Sequence, residues 1–155
     1  MKKGDAELVG FLLADGCLTI IRQKLARRYK EKTYHSVSYI PKVNVTQRVD
    51  GQNILFRFQK RFGGYISKNS SITKRGSRPT KYWVASSHRA CREIASLVKR
   101  SSIPSPKIEA ARILYKFCSW RFPKKSAKLG DIGRRQAQNF WEDIRRANAF
   151  HGVTN

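Results

Sequence analysis

Apolar residues crowd most densely between Leu8 and Ala14, a run without a single polar interruption. With Gly4 as a candidate N-cap, Glu7 in the first turn and Gly16 as a stop, the pattern predicts a helix from about Ala6 to Asp15. Its apolar residues surround the whole circumference, so it must be covered on more than one side. Cys17 to Gln23, rich in branched residues, predicts a strand. A charged stretch, Lys24 to His35, reads as a loop, and Val37 to Gln47 predicts a second strand forming a hairpin with the first. The two-residue period puts Lys42, Asn44 and Thr46 on one face of that strand, Val43 and Val45 on the other.

Asp50 is the candidate cap of a helix from about Gly51 to Phe62, whose Ile54, Leu55, Phe58 and Phe62 form a stripe at helical spacing. Gly63 and Gly64 stop it. Tyr65 to Asn69 and Lys81 to Ser86 predict a further strand pair, joined by a Ser-, Lys-, Arg- and Gly-containing segment that reads as a mobile loop. Ser87 is placed to cap a helix with Cys91, Ile94, Ala95 and Val98 on one side. Pro104 and Pro106 interrupt it, and a new helix is expected from about Lys107 to Trp120. A basic, exposed linker from Pro123 to Gly130 precedes a last helix, Asp131 to about Ala147, with Ala137, Phe140, Trp141 and Ile144 at core spacing. The final few residues are expected to fray. Helix, strand, strand recurs along the chain, which predicts an α+β fold in one domain over residues 1–155.

Charge changes the picture more than composition does. Lysine and arginine total 33 against 10 acids, a formal net charge of +23. Repulsion on this scale opposes compaction unless a polyanion relieves it. Between Asp50 and Glu93 there is no carboxylate, while Arg57, Lys60, Arg61, Lys68, Lys74, Arg75, Arg78, Lys81, Arg89 and Arg92 fall inside. DNA or RNA is the expected partner. No apolar run approaches a membrane span, and basic and apolar residues do not segregate into one amphipathic helix. The start of the chain, with Asp5, Glu7 and Asp15, does not resemble a signal peptide, so an intracellular protein is expected. Cys17, Cys91 and Cys118 are too far apart for a zinc knuckle and odd in number, so buried reduced thiols are expected. His35, His88 and His151 do not cluster, which leaves oxygen as the main donor for any metal.

Gly10 and Ala14 lie four apart on one helical face, where small side chains let another backbone approach. Asp15 faces the unfavourable end of the helix dipole. A bound cation would offset that cost, and an exposed terminal aspartate or a local cap is the alternative.

The segment Leu8-Val9-Gly10-Phe11-Leu12-Leu13-Ala14-Asp15-Gly16 resembles the nine-residue motif of the LAGLIDADG homing endonucleases. The chain as a whole, from about Glu7 through Trp120, is similar to the compact single-motif members found in organelle introns of algae. It departs at Leu13, where many relatives carry another acid, and Val9 stands in place of a small residue. The resemblance implies an αββαββα core with a curved antiparallel four-stranded sheet and additional C-terminal helices. It also implies a homodimer in which the motif helices pack together and the two sheets form a saddle over double-stranded DNA. Gly10 and Ala14, with Phe11 beside them, match the helix-packing positions, and Asp15 matches the metal-binding carboxylate. Val43-Asn44-Val45-Thr46-Gln47 is similar to the strand that brings a glutamine to the active-site edge, and Lys107 to the active-site lysine. A basic residue usual a few positions after the glutamine is not evident at Val49, Asp50 or Gly51, leaving Arg48 or Arg75 to contribute charge. The implied activity is magnesium-dependent, site-specific hydrolysis of both DNA strands at a long pseudo-palindromic target, initiating intron mobility, with a chloroplast or other organelle as the expected setting and a microbial cytoplasm as the alternative.

In such a protein the sheet reads bases and its rim holds phosphates. Thr19, Ile21 and Gln23 are the candidates in the first strand. Lys42 and Asn44 are suited to guanine and adenine, Arg48 to phosphate, and Ser67, Asn69, Arg75, Lys81 and Trp83 extend the surface. For Trp83 a buried aromatic is the stronger reading. An RNA-binding intron-splicing factor and a non-cleaving DNA-binding protein are the competing functions, and intact Asp15 favours cleavage over both.

Overall fold

The computed structural model describes residues 3–67, 79–121 and 129–149. The expected loop with Asn69 and Arg75, the expected linker at residues 123–128 and the chain end with His151 lie outside the described residues. The elements run α1 (Lys3–Asp15), β1 (Gly16–Tyr29), β2 (Lys32–Arg48), a 3-10 turn (Val49–Gly51), α2 (Asn53–Phe62), β3 (Tyr65–Ile66), β4 (Thr80–Ala85), α3 (His88–Val98), α4 (Lys107–Arg121) and α5 (Asp131–Ala149). The four strands form one antiparallel sheet in the order β1-β2-β4-β3. The expected αββαββα core followed by further helices is therefore present.

Helices cover one face of the sheet. Leu18 and Ile20 of β1, Val43 and Val45 of β2 and Trp83 of β4 point into the core against Leu12, Phe58, Ile94 and Phe117. Trp83 stacks on Phe58 at a centroid distance of 4.9 Å, and its indole N–H donates to the Gly63 carbonyl at 2.8 Å. That bond satisfies the one polar atom a buried tryptophan brings. The α2 stripe of Ile54, Leu55, Phe58 and Phe62 is buried as its spacing predicts. Gly64, at φ +84°, passes so close to β4 that a Cβ there would meet the Val84 carbonyl oxygen at 2.2 Å. In α3 the Ser87 hydroxyl accepts from Ala90 N–H at 3.1 Å, the expected cap.

Several features differ from expectation. Helix α1 begins by Lys3, so Gly4 lies inside it. Asp50 sits in the 3-10 turn, and Gln52 takes the N-cap position of α2 without a side-chain bond. Cys17 is exposed, whereas Cys91 and Cys118 are buried as expected. The largest difference is the charged stretch from Lys24 to His35, which is strand rather than loop. β1 and β2 are 14 and 17 residues long and pair to Tyr29↔Lys32, turning at Lys30, whose φ is 53°. Beyond Gln23 most side chains on both faces of this ribbon are exposed. Alternation of apolar and polar residues, the usual signature of a strand, is consequently missing there.

Helix α5 buttresses the base of the ribbon. Asn148 donates from its side-chain amide to the Leu18 carbonyl at 3.1 Å, and the Arg22 and Arg145 guanidinium groups lie 5.5 and 4.8 Å from the Trp141 ring centre. Among the described residues no helix is long and apolar enough to cross a membrane.

Candidate active site and nucleic-acid interface

The motif helix ends where the sheet begins. Gly16 is buried, and a Cβ there would lie 2.7 Å from the Leu12 carbonyl oxygen and 2.8 Å from its Cα. Only glycine lets β1 leave α1 this tightly, and the turn leaves Asp15 exposed at the helix terminus. Gln47, next to the end of β2, donates from its side-chain amide to Asp15 Oδ2 at 3.0 Å. By the two-residue period Gln47 shares the face of Val43 and Val45. It lies at the rim of the packed face, where the core gives way to solvent.

Lys107 opens α4, with Ser105 Oγ accepting its backbone N–H at 3.3 Å. Its ammonium donates to the Ala14 carbonyl at 2.6 Å and the Leu12 carbonyl at 3.3 Å. These are carbonyls of the last turn of α1, the negative end of its dipole. Burial pushes the Lys107 pKa below the ordinary lysine value, while the charges of Asp15 and Cys17 oppose that shift. The structure thus brings Asp15, Gln47 and Lys107 to one point from positions separated by up to 92 residues along the chain.

Asp15 is the one carboxylate there, and among the described residues no three Asp, Glu, His or Cys side chains gather at any point. The described residues therefore form no closed structural zinc site. Magnesium is different, because it is commonly held by one or two carboxylates together with waters and substrate phosphates. Asp15 fits such a cation when phosphate oxygens complete the shell.

Above the site the sheet turns its other face outward. The register pairs Cys17 with Asn44, Thr19 with Lys42, Ile21 with Ile40 and Gln23 with Ser38. Directly opposed residues share a face, so Thr19, Ile21, Gln23, Lys42 and Asn44 form one uncovered surface, with exposed Arg48 at its end. The second hairpin corrects the expectation by one residue. Trp83 pairs with Val45 and is fully buried, and Lys81 pairs with Gln47 on the same packed side. Tyr82, opposite Thr46, is the outward residue instead, with Tyr65 against it edge-on at 6.4 Å. A one-residue slip in strand register inverts every side chain, and the Tyr-Trp pair offers no alternation with which to fix it. Ser67 is also corrected: it is 9% exposed, and its hydroxyl accepts the Tyr82 N–H at 3.1 Å, closing the sheet edge.

On α1, Leu8, Val9 and Leu12 are buried, but a Cβ built on Gly10 meets nothing within 4 Å, and Ala14 is exposed. The side of the helix carrying the small residues is left open by the described residues.

This architecture is the LAGLIDADG fold. The group I intron-encoded homing endonuclease I-CeuI, solved in complex with DNA, superposes with a TM-score of 0.68 at 20% identity over 93% of this chain and 67% of its own. I-SmaMI bound to its uncleaved DNA target in the presence of calcium gives 0.69 at 19% identity, over 94% of this chain but 46% of its own. The homing endonuclease I-TnaI gives 0.67 at 14% identity over 96% of this chain and 98% of its own. The chain therefore spans less than half of I-SmaMI and nearly all of I-TnaI. No family model and no curated protein sequence matches it.

Proposed function

We propose that this protein is a site-specific DNA endonuclease of the LAGLIDADG homing type, acting as a homodimer on a long pseudo-palindromic duplex. The observation that carries the reading is the meeting of Asp15, Gln47 and Lys107 at the end of an apolar helix, beside an uncovered sheet face. The open Gly10 and Ala14 side of α1 supports assembly through that helix, with Phe11 beside the seam. A span of under half of I-SmaMI agrees with two copies filling the place of one longer chain. A two-fold axis along the paired helices would bring two Asp15 carboxylates together, one beside each DNA strand.

Hydrolysis forms a bond from a water oxygen to phosphorus as the bond from phosphorus to a bridging sugar oxygen breaks. One water proton ends on the leaving oxygen and the other passes to solvent. Magnesium held by Asp15 and phosphate oxygens supplies water activation and charge stabilisation when bound. Gln47 uses its amide N–H on Asp15 and so offers its carbonyl oxygen to orient a water O–H. Lys107 neutralises the helix end and fixes the carbonyls behind Asp15. On the outer face Lys42 and Asn44 are suited to base edges, with Thr19, Ile21, Gln23 and Tyr82 flanking them and Arg48 on phosphate.

The test is selection of cleaved sites from a randomised duplex library, with and without magnesium, alongside light scattering at several protein concentrations. Discrete magnesium-dependent sites with approximate two-fold symmetry, cut by a dimer, are expected. Duplex binding without cleavage of any sequence would overturn the enzymatic reading, and full cleavage of both strands by a persistent monomer would overturn the two-chain site.

A further inference from the structure

We propose that Lys81 supplies positive charge to the reacting phosphate from the strand opposite Gln47, an inference that rests on the endonuclease reading and deepens it. Its basis is the register of β2 and β4. Gln47 and Lys81 are directly paired, in the row next to Val45 and Trp83. Opposed residues in an antiparallel pair share a face, with Cβ atoms about 5 Å apart. Gln47 contacts Asp15 from that face, so Lys81 leaves the sheet on the Asp15 side and not on the outward surface. The Val45 and Trp83 row is fully buried, whereas Gln47 and Lys81 are both half-exposed. Lys81 therefore stands at the mouth of the site, its stem along the core edge and its ammonium toward solvent.

Three features leave room and need for that charge. The turn after β2 brings a glycine to Gln47: a Cβ built on Gly51 would have the Gln47 Oε1 atom at 3.6 Å, so that position contributes no side chain to the space beside it. Arg48, the nearest cation in sequence, pairs with Thr80 one position along and falls on the opposite face. Lys107 is engaged by the Leu12 and Ala14 carbonyls. Among the described residues, moreover, no carboxylate lies within ion-pair distance of Lys81. No carboxylate among the described residues thus competes for its ammonium where negative charge builds on the phosphate oxygens during hydrolysis. The ammonium donates hydrogen bonds there and transfers no proton.

A lysine that merely solvates the core rim would make a different prediction. On a duplex selected by wild-type cleavage, single-turnover rates are measured at saturating protein in magnesium, and affinities for the same duplex in calcium. Lys81→Met should cut at least about tenfold more slowly, the order expected for loss of one charge-stabilising donor, with affinity changed by no more than about threefold. Lys81→Arg should restore most of the rate. Lys81→Gln, which keeps a polar side chain at the rim, stands in if Lys81→Met melts early. A wild-type rate in a folded Met or Gln variant overturns the proposal, as does a loss that saturating protein abolishes, since that marks a ground-state phosphate contact. Asp15→Asn is run beside them. If it cuts normally, the endonuclease site itself is misassigned; if it is inactive while the Lys81 variants are unimpaired, only the role of Lys81 fails.

Discussion

The two ends of α1 carry carboxylates in opposite circumstances. At the N-terminal end Asp5 is 6% exposed and bridged by Arg61 at 2.8 Å, and the same guanidinium holds Glu93 at 2.6 Å. Glu7 is gripped by both terminal nitrogens of Arg57, at 2.5 and 2.7 Å. Asp5 sits in the first turn of α1, at the favourable end of its dipole, and all three acids are paired with arginine. At the C-terminal end the hydrogen-bond partner of Asp15 among the described residues is the neutral amide of Gln47, and the nearby Lys107 ammonium is spent on backbone carbonyls. The N-terminal pairs tie α1 to α2 and α3, while the C-terminal carboxylate stands exposed, with no arginine paired to it among the described residues. A residue so placed suits a ligand that arrives later, and a cation is the ligand that offsets both the charge and the dipole.

Substitution of Asp15 should break that contrast most severely. Asp15→Asn keeps the size and removes the charge, so cleavage is expected to fall on the order of a thousandfold or more, as when a principal electrostatic contribution is lost. Duplex affinity should remain within about threefold, because the sheet contacts are untouched, and the urea midpoint should not fall. Near-wild-type cleavage of both strands would remove Asp15 from the chemistry.

The next effect is on pH. Burial lowers the Lys107 pKa from its ordinary 10.5, so the proton that holds the Ala14 and Leu12 carbonyls leaves earlier than in an exposed lysine. Cleavage should decline as pH rises through that lowered value. Stability moves the other way: between the folded value and 10.5 the unfolded chain binds the extra proton, so this group's contribution to folding rises with pH. Rates and urea midpoints measured across the alkaline range, in the protein and in Lys107→Met, separate the two. An alkaline limb unchanged in Lys107→Met would assign it to another group.

Much of this was legible in the chain, for reasons that differ by element. The α2 and α3 stripes repeat at helical spacing because one side meets the core, so burial wrote the pattern. Val43 and Val45 against Lys42 and Asn44 did the same for the middle of β2. That Gln47 meets Asp15 came from the resemblance of Val43-Asn44-Val45-Thr46-Gln47 to the family's strand rather than from alternation, which says nothing of where α1 ends. The outer half of the ribbon was not legible, since residues exposed on both faces carry no period. Nor was the face of Lys81, which depends on how β4 registers against β2 across a long separation in sequence. Arg57 and Arg61, read as part of a cationic surface, turn out to be ion-paired to acids of α1 and α3. Composition locates charge along the chain but not the partner that the fold selects.

At the N-terminal end of α1 the comparison sharpens to one between neighbours. Asp5→Ala leaves the Arg61 guanidinium without its buried acceptor, and a cost of about 1 to 3 kcal/mol is expected in urea unfolding, toward the lower end because Arg61 is itself partly solvated. DNA cleavage per folded molecule should be unaltered. A larger loss of activity than of stability would show that this anchor reaches the catalytic end of the helix.

Glu7→Ala should have the smallest effect of all, although its ion pair with Arg57 has the better geometry. Hydrogen bonding to Arg57 holds the Glu7 carboxyl below the usual range, yet both side chains are about half-exposed. Water and salt screen such a pair, and ordering two long side chains offsets what attraction remains. The urea midpoint of Glu7→Ala is therefore expected to shift by much less than that of Asp5→Ala, and the small difference should shrink further as salt is raised. Linkage works in one direction here: a carboxyl with a lowered folded pKa stabilises above its unfolded value and loses that contribution as pH falls through the folded one. Unfolding of the protein and Glu7→Ala should converge in acid. A Glu7 effect equal to that of Asp5 at high salt would mean that burial is not what separates the two pairs, and that bidentate geometry alone ties α1 to α2.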